Sequence, residues 1–249
     1  RLVGSEMCIR DSYYTEKFYI DYSRVYPNRK IKYPELANIL QITAANHTDF
    51  CGLGFDDLQH NKQAWVMNRI RIEIDTLPEL NDEVTIDTWL ELLRVPKSIR
   101  NLEIKKEGKK LVGVSSLWAV FNTERRRPEA LKIDADHLKI FTDLHATSLE
   151  NNKIETPESF QKVAEYQVKL SDLDVVNHVN NIQYLTWCLD TLSKEEVLER
   201  SIAVLEMNFL KELSYQKIIH IEQYRQEHEL YLRIRDEQFI YFVARITYQ

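Results

Sequence analysis

The sequence predicts an α+β fold made of two tandem halves, each with one long helix packed on a curved antiparallel sheet. The first observation behind this prediction is that the order strand, long helix, four strands occurs twice along the chain. The second is composition, since the 249 residues include 44% apolar residues but only 5 Gly and 6 Pro. Such a chain can bury a large core and is not of the disordered or fibrous kind.

The first half is predicted to cover residues 13–123. Alternating apolar and aromatic residues indicate a strand at 16–22. Apolar residues at helical spacing then indicate a helix over Tyr33–Phe50, with Pro34 in its first turn. Four strand-like segments follow, and Glu107-Gly108 is predicted to form the tight turn between the last two. Their positions are 64–75, 83–93, 98–106 and 110–122.

Residues 124–161 are predicted to be a crossover linker with short helices, because they are polar and lack a sustained period. The second half, 162–249, then repeats the pattern of the first. It has a strand at 162–170, a helix at 179–192, and strands at 201–211, 217–225, 229–235 and 238–248. The two halves could pair their sheets edge to edge, which would also hide strand edges. Residues 1–12 fit neither half, and we interpret them as a sequence artefact.

Charge and cysteine content exclude several classes of function. The net charge of −6 disfavours nucleic acid as a partner, because phosphate binding needs an excess of Lys and Arg. No apolar run approaches the roughly 18 residues of a membrane span, and no secretory signal is visible. The 3 cysteines are widely spaced and form no Cys-x-x-Cys motif. These features predict a cytoplasmic protein with reduced thiols that does not associate with membranes.

The segment most informative about chemistry is 171–184, which connects a predicted strand to the second long helix. It brings Asp174, His178 and several amides to a helix N-terminus, where unpaired N–H groups can hold a developing oxyanion. Asp174 precedes His178 by four residues and could orient it. A histidine in this position can transfer a proton near neutral pH. Asp and Asn before a helix are also common caps, so the isolated Asp-x-x-x-His pattern leaves both interpretations open.

The whole stretch Asp174-Val-Val-Asn-His178-Val-Asn-Asn-Ile-Gln-Tyr184 resembles the D-x-N-x-H-V-N-N-x-x-Y segment of acyl-acyl-carrier-protein (acyl-ACP) thioesterases. The resemblance runs from about residue 16 to the C-terminus and keeps the order and spacing of four further motifs. They are GLG at 52–54 with WVMNR at 65–69, DEVTIDTW at 82–89, SSLW at 115–118 with RR at 125–126, and NFLKE at 208–212. The resemblance implies a double hotdog fold. It also implies hydrolysis of fatty acyl-ACP to free fatty acid in fatty acid biosynthesis, without a cofactor or a metal.

Two positions depart from the family pattern. Val176 occupies the place, two before the histidine, where the family has Asn, and Asn177 follows one position later. Either the turn is reshaped so that Asn177 substitutes, or activity is weakened. Leu213 follows Glu212 where plant members carry a cysteine, so a nucleophilic cysteine at that position is excluded. Cys188 lies among apolar helix positions and is predicted to be a core residue.

The resemblance therefore implies attack by water. Glu212 would be the general base, Asp174 would position His178, and Asn177 would complete the catalytic set. Asp174 and Glu212 could also exchange roles. His178, together with the amides near Val179 and Asn180, would stabilise the oxyanion. Substrate-binding residues would be Asn180 and Asn181.

The first half is predicted to supply the apolar tunnel for the acyl chain, and Asn46-His47 within it is predicted to be a structural or tunnel-lining pair. Since acyl carrier proteins are acidic, a local basic patch should meet them. The candidates are Lys105, Lys106, Lys109, Lys110 and 125–127.

Two alternative functions stay open. One is an acyl-CoA thioesterase of the same fold, and the other is a catalytically silent acyl-binding protein, an interpretation that Val176 favours. The chain could be a monomer, with its two halves paired internally, or a homodimer.

Overall fold

The computed structural model of the protein describes residues 12–94 and 96–249. The predicted artefact at 1–12 therefore lies outside the described residues, apart from Ser12. The first half contains strands β1 (Tyr13–Tyr19), β2 (Gln63–Ile74), β3 (Glu83–Arg94), β4 (Lys97–Lys106) and β5 (Lys109–Asn122), with helices α1 (Tyr33–Phe50) and α2 (Phe55–His60). The second half contains β7 (Gln161–Gln167), β8 (Ile202–Phe209), β9 (Ile218–Arg225), β10 (Glu229–Arg235) and β11 (Ile240–Tyr248), with helices α3 (Asn181–Leu189) and α4 (Lys194–Leu198). A two-residue strand, β6 (Arg127–Pro128), pairs with β5.

The described strands form one continuous antiparallel sheet with the order β1-β3-β4-β5-β2-β8-β11-β10-β9-β7. The two halves join where β2 pairs with β8, from Arg69 opposite Asn208 to Glu73 opposite Val204. The predicted edge-to-edge pairing is therefore confirmed. It removes one exposed strand edge from each half, and an unpaired strand edge can pair with another chain and cause aggregation.

Helix α1 lies on the sheet because one of its faces is apolar. Leu36, Ile39 and Leu40 are almost completely buried in the main core. The helix also contacts α3 of the second half. Burial of each such side chain stabilises the fold by about 1.5–3 kcal/mol. Among the described residues, no helix combines the length and apolarity needed to cross a bilayer.

Several predicted boundaries differ from the structure for local reasons. Strand β1 begins at Tyr13, earlier than predicted, because Tyr13 pairs with Trp89 of β3. Helix α3 begins later than predicted, because Asn180 is its N-cap. The turn predicted at Glu107-Gly108 is present, and both residues have positive φ, as the tight hairpin turn requires.

The prediction of short helices in the linker is wrong, since no helix occurs between 129 and 160. The linker backbone instead binds groups of the sheet. The N–H of Ala146 donates to Asn101 Oδ1 at 2.9 Å, and the N–H of Ile154 donates to Asn208 Oδ1 at 2.9 Å. Each bond satisfies a backbone N–H of the linker without a helix.

Candidate active site

The turn before α3 is closed by the side chain of Asp174. Asp174 Oδ1 accepts the main-chain N–H groups of Val176 at 3.0 Å and His178 at 3.1 Å. The N–H of Asp174 in turn donates to the carbonyl of His178 at 2.8 Å. Asn177 lies at the apex with φ 64°, a conformation that Asn tolerates better than most residues. This network fixes the backbone from which the His178 side chain projects.

Asp174 therefore positions His178 through the main chain. Sequence reasoning anticipated that Asp174 orients His178, but it could not tell whether the carboxylate binds the imidazole or the backbone. Among the described residues, the hydrogen bonds of the Asp174 carboxylate go to main-chain N–H groups, as in an Asx-turn. Both bonds use Oδ1, so Asp174 Oδ2 has no hydrogen-bond partner within the described chain.

Glu212 reaches the same turn from the end of β8. Its neighbour Leu213 is held on both sides, since its carbonyl accepts from the N–H of Val179 at 3.0 Å and its N–H donates to Tyr184 Oη at 3.1 Å. This places Glu212 Oε2 at 3.6 Å from His178 Nε2. The distance is too long for a direct hydrogen bond, but it brings a carboxylate and an imidazole to one side of the turn.

Arg126 from the first half also contacts Glu212. Its Nη2 donates to Glu212 Oε2, and its guanidinium lies 5.7 Å from the centroid of the Phe121 ring. Sequence reasoning treated this arginine only as part of a basic patch. Its proximity to Glu212 depends on the join between the halves, so no local signal could have revealed the contact.

Tyr184 is a second residue to which sequence reasoning gave no role, although it ends the family motif. Burial, opposed in part by the bond to the Leu213 N–H, raises the pKa of its phenol, and the charges of Glu212 and Asp174 raise it further. The neutral hydroxyl accepts the bond from Leu213. Tyr184 thus connects α3 to the segment that carries Glu212.

The remaining predicted site residues have different surroundings. Asn180 Oδ1 accepts the N–H of Ile182 at 3.0 Å and so caps α3. Asn181 lines the large cavity described below. Asn177 is exposed, and its side chain forms no hydrogen bond with the residues that the structure describes.

The predicted oxyanion donors at Val179 and Asn180 are wrong. The N–H of Val179 is bound to the carbonyl of Leu213, and the N–H of Asn180 donates to the carbonyl of Asp172 at 2.9 Å. A donor already engaged in a backbone hydrogen bond is not available to an oxyanion. The N–H of Asn181, the first residue of α3, has no acceptor within the described chain.

A cavity of about 320 Å³ lies beside this turn. Most of its wall comes from the first half, namely from α1, α2 and strands β2–β5. The second half contributes Asp174, Val175, Val176 and Asn181, which flank His178 in sequence. The wall is mainly apolar and includes Leu53, Leu58, Trp65, Leu90, Trp118 and Leu138.

The pair Asn46-His47 is structural. Asn46 Nδ2 donates to Glu16 Oε1 at 2.8 Å, and His47 is completely buried with Tyr14 stacked on its ring.

The prediction that Cys188 is a core residue is confirmed, since its side chain is fully buried and burial raises the pKa of its thiol.

The basic residues named as candidates for the carrier-binding patch fall into two groups, separated by the length of β5. Lys109 and Lys110 begin this 14-residue strand, whereas residues 125–127 follow its end. At about 3.3 Å per residue, the two groups are roughly 40 Å apart. Lys105, Lys106 and Lys110 also form ion pairs, with Asp87, Asp82 and Glu103 respectively. A single patch containing both groups is therefore excluded.

Comparison with solved structures shows the fold first. The fold is the tandem hotdog type shared with solved structures of an acyl-ACP thioesterase from Bacteroides thetaiotaomicron and of a 12:0-ACP thioesterase from Umbellularia californica. The first is 23% identical with a TM-score of 0.89, covering 99% of this chain and 100% of that chain. The second is 19% identical with a TM-score of 0.76, covering 95% of this chain and 97% of that chain.

Sequence comparison then gives the family. The acyl-ACP thioesterase N-terminal domain matches residues 11–140, and the C-terminal domain matches residues 155–246. The chain therefore belongs to the acyl-ACP thioesterase family. It is 26% identical over 225 residues to oleoyl-acyl carrier protein thioesterase 1, chloroplastic, of Arabidopsis thaliana, covering 83% of this chain. The match spans 62% of the length of that plant relative.

Proposed function

We propose that this protein hydrolyses fatty acyl thioesters of acyl carrier protein and releases free fatty acids. The observation that carries the proposal is that a mainly apolar cavity of the first half reaches the turn that holds His178 beside Glu212. An acyl chain in the cavity would bring its thioester to the turn that carries His178. Membership of the family gives the same expectation.

In the proposed reaction, Glu212 accepts a proton from a water molecule whose oxygen attacks the thioester carbonyl carbon. His178 and the N–H of Asn181 stabilise the negative charge that forms on the carbonyl oxygen. The carbon–sulfur bond then breaks, and the proton held by Glu212 passes to the departing thiolate. We assign the role of base to Glu212 because its carboxylate lies beside the imidazole of His178.

The other predicted residues have supporting roles in this proposal. Asp174 and Asn177 shape the turn that presents His178, and Asn180 starts the helix whose first residue, Asn181, faces the substrate. The corresponding division of the chain is 13–123 for the acyl cavity, 124–161 for the crossover, and 162–249 for the catalytic half.

We propose that the acidic carrier approaches beside Glu212. Arg125 and Arg127 are exposed there. A second cavity of about 270 Å³ is lined by Arg69, Lys97 and Lys153 together with Leu210, two residues before Glu212. These cations suit a phosphate-bearing arm and an acidic surface. Lys105, Lys106, Lys109 and Lys110, at the other end of β5, are excluded from this proposal.

The test is hydrolysis of one acyl group on acyl carrier protein and on coenzyme A. We expect His178→Ala and Glu212→Ala each to lower kcat about 100-fold or more, the usual contribution of a proton-transfer group. His228→Ala and Glu227→Ala are matched controls, because both residues are highly exposed. Unchanged turnover in the site variants would refute the assignment, and equal use of coenzyme A would refute the carrier preference.

A second candidate function, an acyl-binding protein without turnover, is favoured by Val176 in place of the family Asn. Retention of an acyl ligand without hydrolysis by the wild-type protein would support it.

A cytoplasmic location and a monomeric or homodimeric state remain predictions. Cell fractionation would test the location, and light scattering would test the oligomeric state. The Arabidopsis relative named above is described as chloroplastic.

A further inference from the structure

A guanidinium lies in the wall of the cavity proposed for the acyl chain. Arg100 is on β4, directly opposite Leu90 of β3, and both side chains line the cavity. Arg100 is only 4% exposed. It is therefore a buried cation on a mainly apolar surface, an arrangement that is costly unless the charge has partners.

The side-chain hydrogen bonds of Arg100 use one of the three guanidinium nitrogens. Nη1 donates to Thr88 Oγ1 at 3.1 Å and to His47 Nδ1. No other group in 12–94 or 96–249 accepts a hydrogen bond from the Arg100 side chain. Since a guanidinium has five N–H donors, those on Nε and Nη2 remain without an acceptor in the described chain.

No carboxylate in the described parts of the chain neutralises this charge. Two carboxylates line the same cavity, but Asp49 is exposed at its rim and Asp174 is bound within the turn. Neither lies within ion-pair distance of Arg100. Burial lowers the pKa of Arg100 to about 10, so the side chain still carries its charge at neutral pH.

Gln41 also lines the cavity, but its Oε1 is buried away from the accessible wall and accepts no hydrogen bond from the described residues. The wall therefore offers the unused donors of Arg100, which a hydrocarbon chain cannot satisfy.

We propose that the cavity is a subsite for acyl chains that carry an oxygen atom remote from the thioester, as a hydroxyl or a carboxylate, with Arg100 as the donor that recognises it. This inference rests on the proposed function, which places the acyl chain in the cavity. A hydroxyl oxygen and a carboxylate oxygen can both accept from the guanidinium. Arg100 is therefore a specificity-determining residue that stands apart from the reacting atoms.

The test uses S-alkyl pantetheines, thioethers that cannot be hydrolysed. Medium- and long-chain ligands are compared in three forms, with a plain, a hydroxyl or a carboxylate end. Trp65 and Trp118 line the cavity, so tryptophan fluorescence reports binding, and calorimetry gives Kd. We expect an oxygenated chain to bind the wild-type protein about tenfold or more tightly than the plain chain of equal length, as one charge-assisted hydrogen bond implies.

Substitutions of Arg100 test whether the preference for oxygenated chains depends on its guanidinium. Arg100→Leu should bring the ratio close to one while the plain chain still binds, and Arg100→Met serves if the leucine variant does not fold. Leu90→Met, a volume-conserving change opposite Arg100, should leave the ratio unchanged. A wild-type ratio near one for both oxygenated forms would overturn the inference, as would a preference that survives loss of the guanidinium.

The same experiment separates this inference from the proposed function. Because the ligands are thioethers, a protein without thioesterase activity can still show the preference, and the inference would then stand alone. A protein that hydrolyses acyl thioesters but binds plain and oxygenated chains equally would retain the proposed function and lose the inference. A preference for one oxygenated form supports the proposal and identifies the group that the cavity takes.

Discussion

Tyr184→Phe should reduce both stability and turnover, because it removes one of the two hydrogen bonds that hold Leu213 beside Glu212. The ring keeps its packing against Phe209, Phe242 and Trp187. Only the acceptor for the Leu213 N–H is lost. Leu213 is 1% exposed, so water does not readily replace the hydroxyl, and the unsatisfied N–H costs about 1–3 kcal/mol.

The expected decrease in Tm follows from chain length. For proteins of this size, 1 kcal/mol corresponds to about 2–4 °C, so Tyr184→Phe should lower Tm by roughly 2–12 °C. The carbonyl of Leu213 keeps its bond to Val179, so Glu212 is loosened and not released. A displacement of the order of 1 Å can lower a rate about 100-fold, and we expect kcat to fall between about 10- and 100-fold.

The assay is acyl-ACP hydrolysis, with kcat and KM measured separately, beside thermal unfolding. KM should change much less than kcat, because the cavity is not altered. Tyr231→Phe is the matched control, since it also removes a hydrogen-bonded tyrosine hydroxyl, which donates to Glu229 at 2.9 Å, but on β10. If kcat stayed within about threefold of wild type while Tm fell, or if Tyr231→Phe lowered kcat equally, the argument that Tyr184 positions Glu212 would be refuted.

Three further outcomes are expected. Arg126→Gln should lower kcat by up to about fivefold, because Arg126 contacts Glu212 and an exposed ion pair contributes up to about 1 kcal/mol. Arg125→Gln, the control, should not change kcat, and equal effects of the two substitutions in a hydrolysis assay would contradict this expectation. Val176→Asn should raise kcat about tenfold or more, since it adds an amide donor to the cavity wall beside the turn; unchanged or lower turnover would argue against it. Because burial raises the pKa of Cys188, its thiol should react with iodoacetamide only as fast as the protein unfolds, and rapid labelling of the native protein would count against that burial.

The motif around His178 could be read from sequence because its interactions are local. Asp174 accepts the N–H of His178 four positions later and Asn180 accepts the N–H of Ile182, so the spacing of these residues already encodes a turn and a helix start. The same reasoning failed for the amides of Val179 and Asn180. One of them binds the carbonyl of Leu213, a distant residue whose approach no local pattern records.

By itself the sequence determined the two halves, the long helices, the turn before α3 and the family, because hydrophobic period, capping residues and motif spacing are properties of neighbouring positions. Only the tertiary structure decided that β2 pairs with β8, that Arg126 contacts Glu212, and that Arg100 lies in the cavity wall. It also decided that Asp174 holds the backbone of His178 while Glu212 faces the imidazole. Those relations depend on strand order and register, which bring together residues far apart in the chain, and a short-range pattern carries no information about such distances.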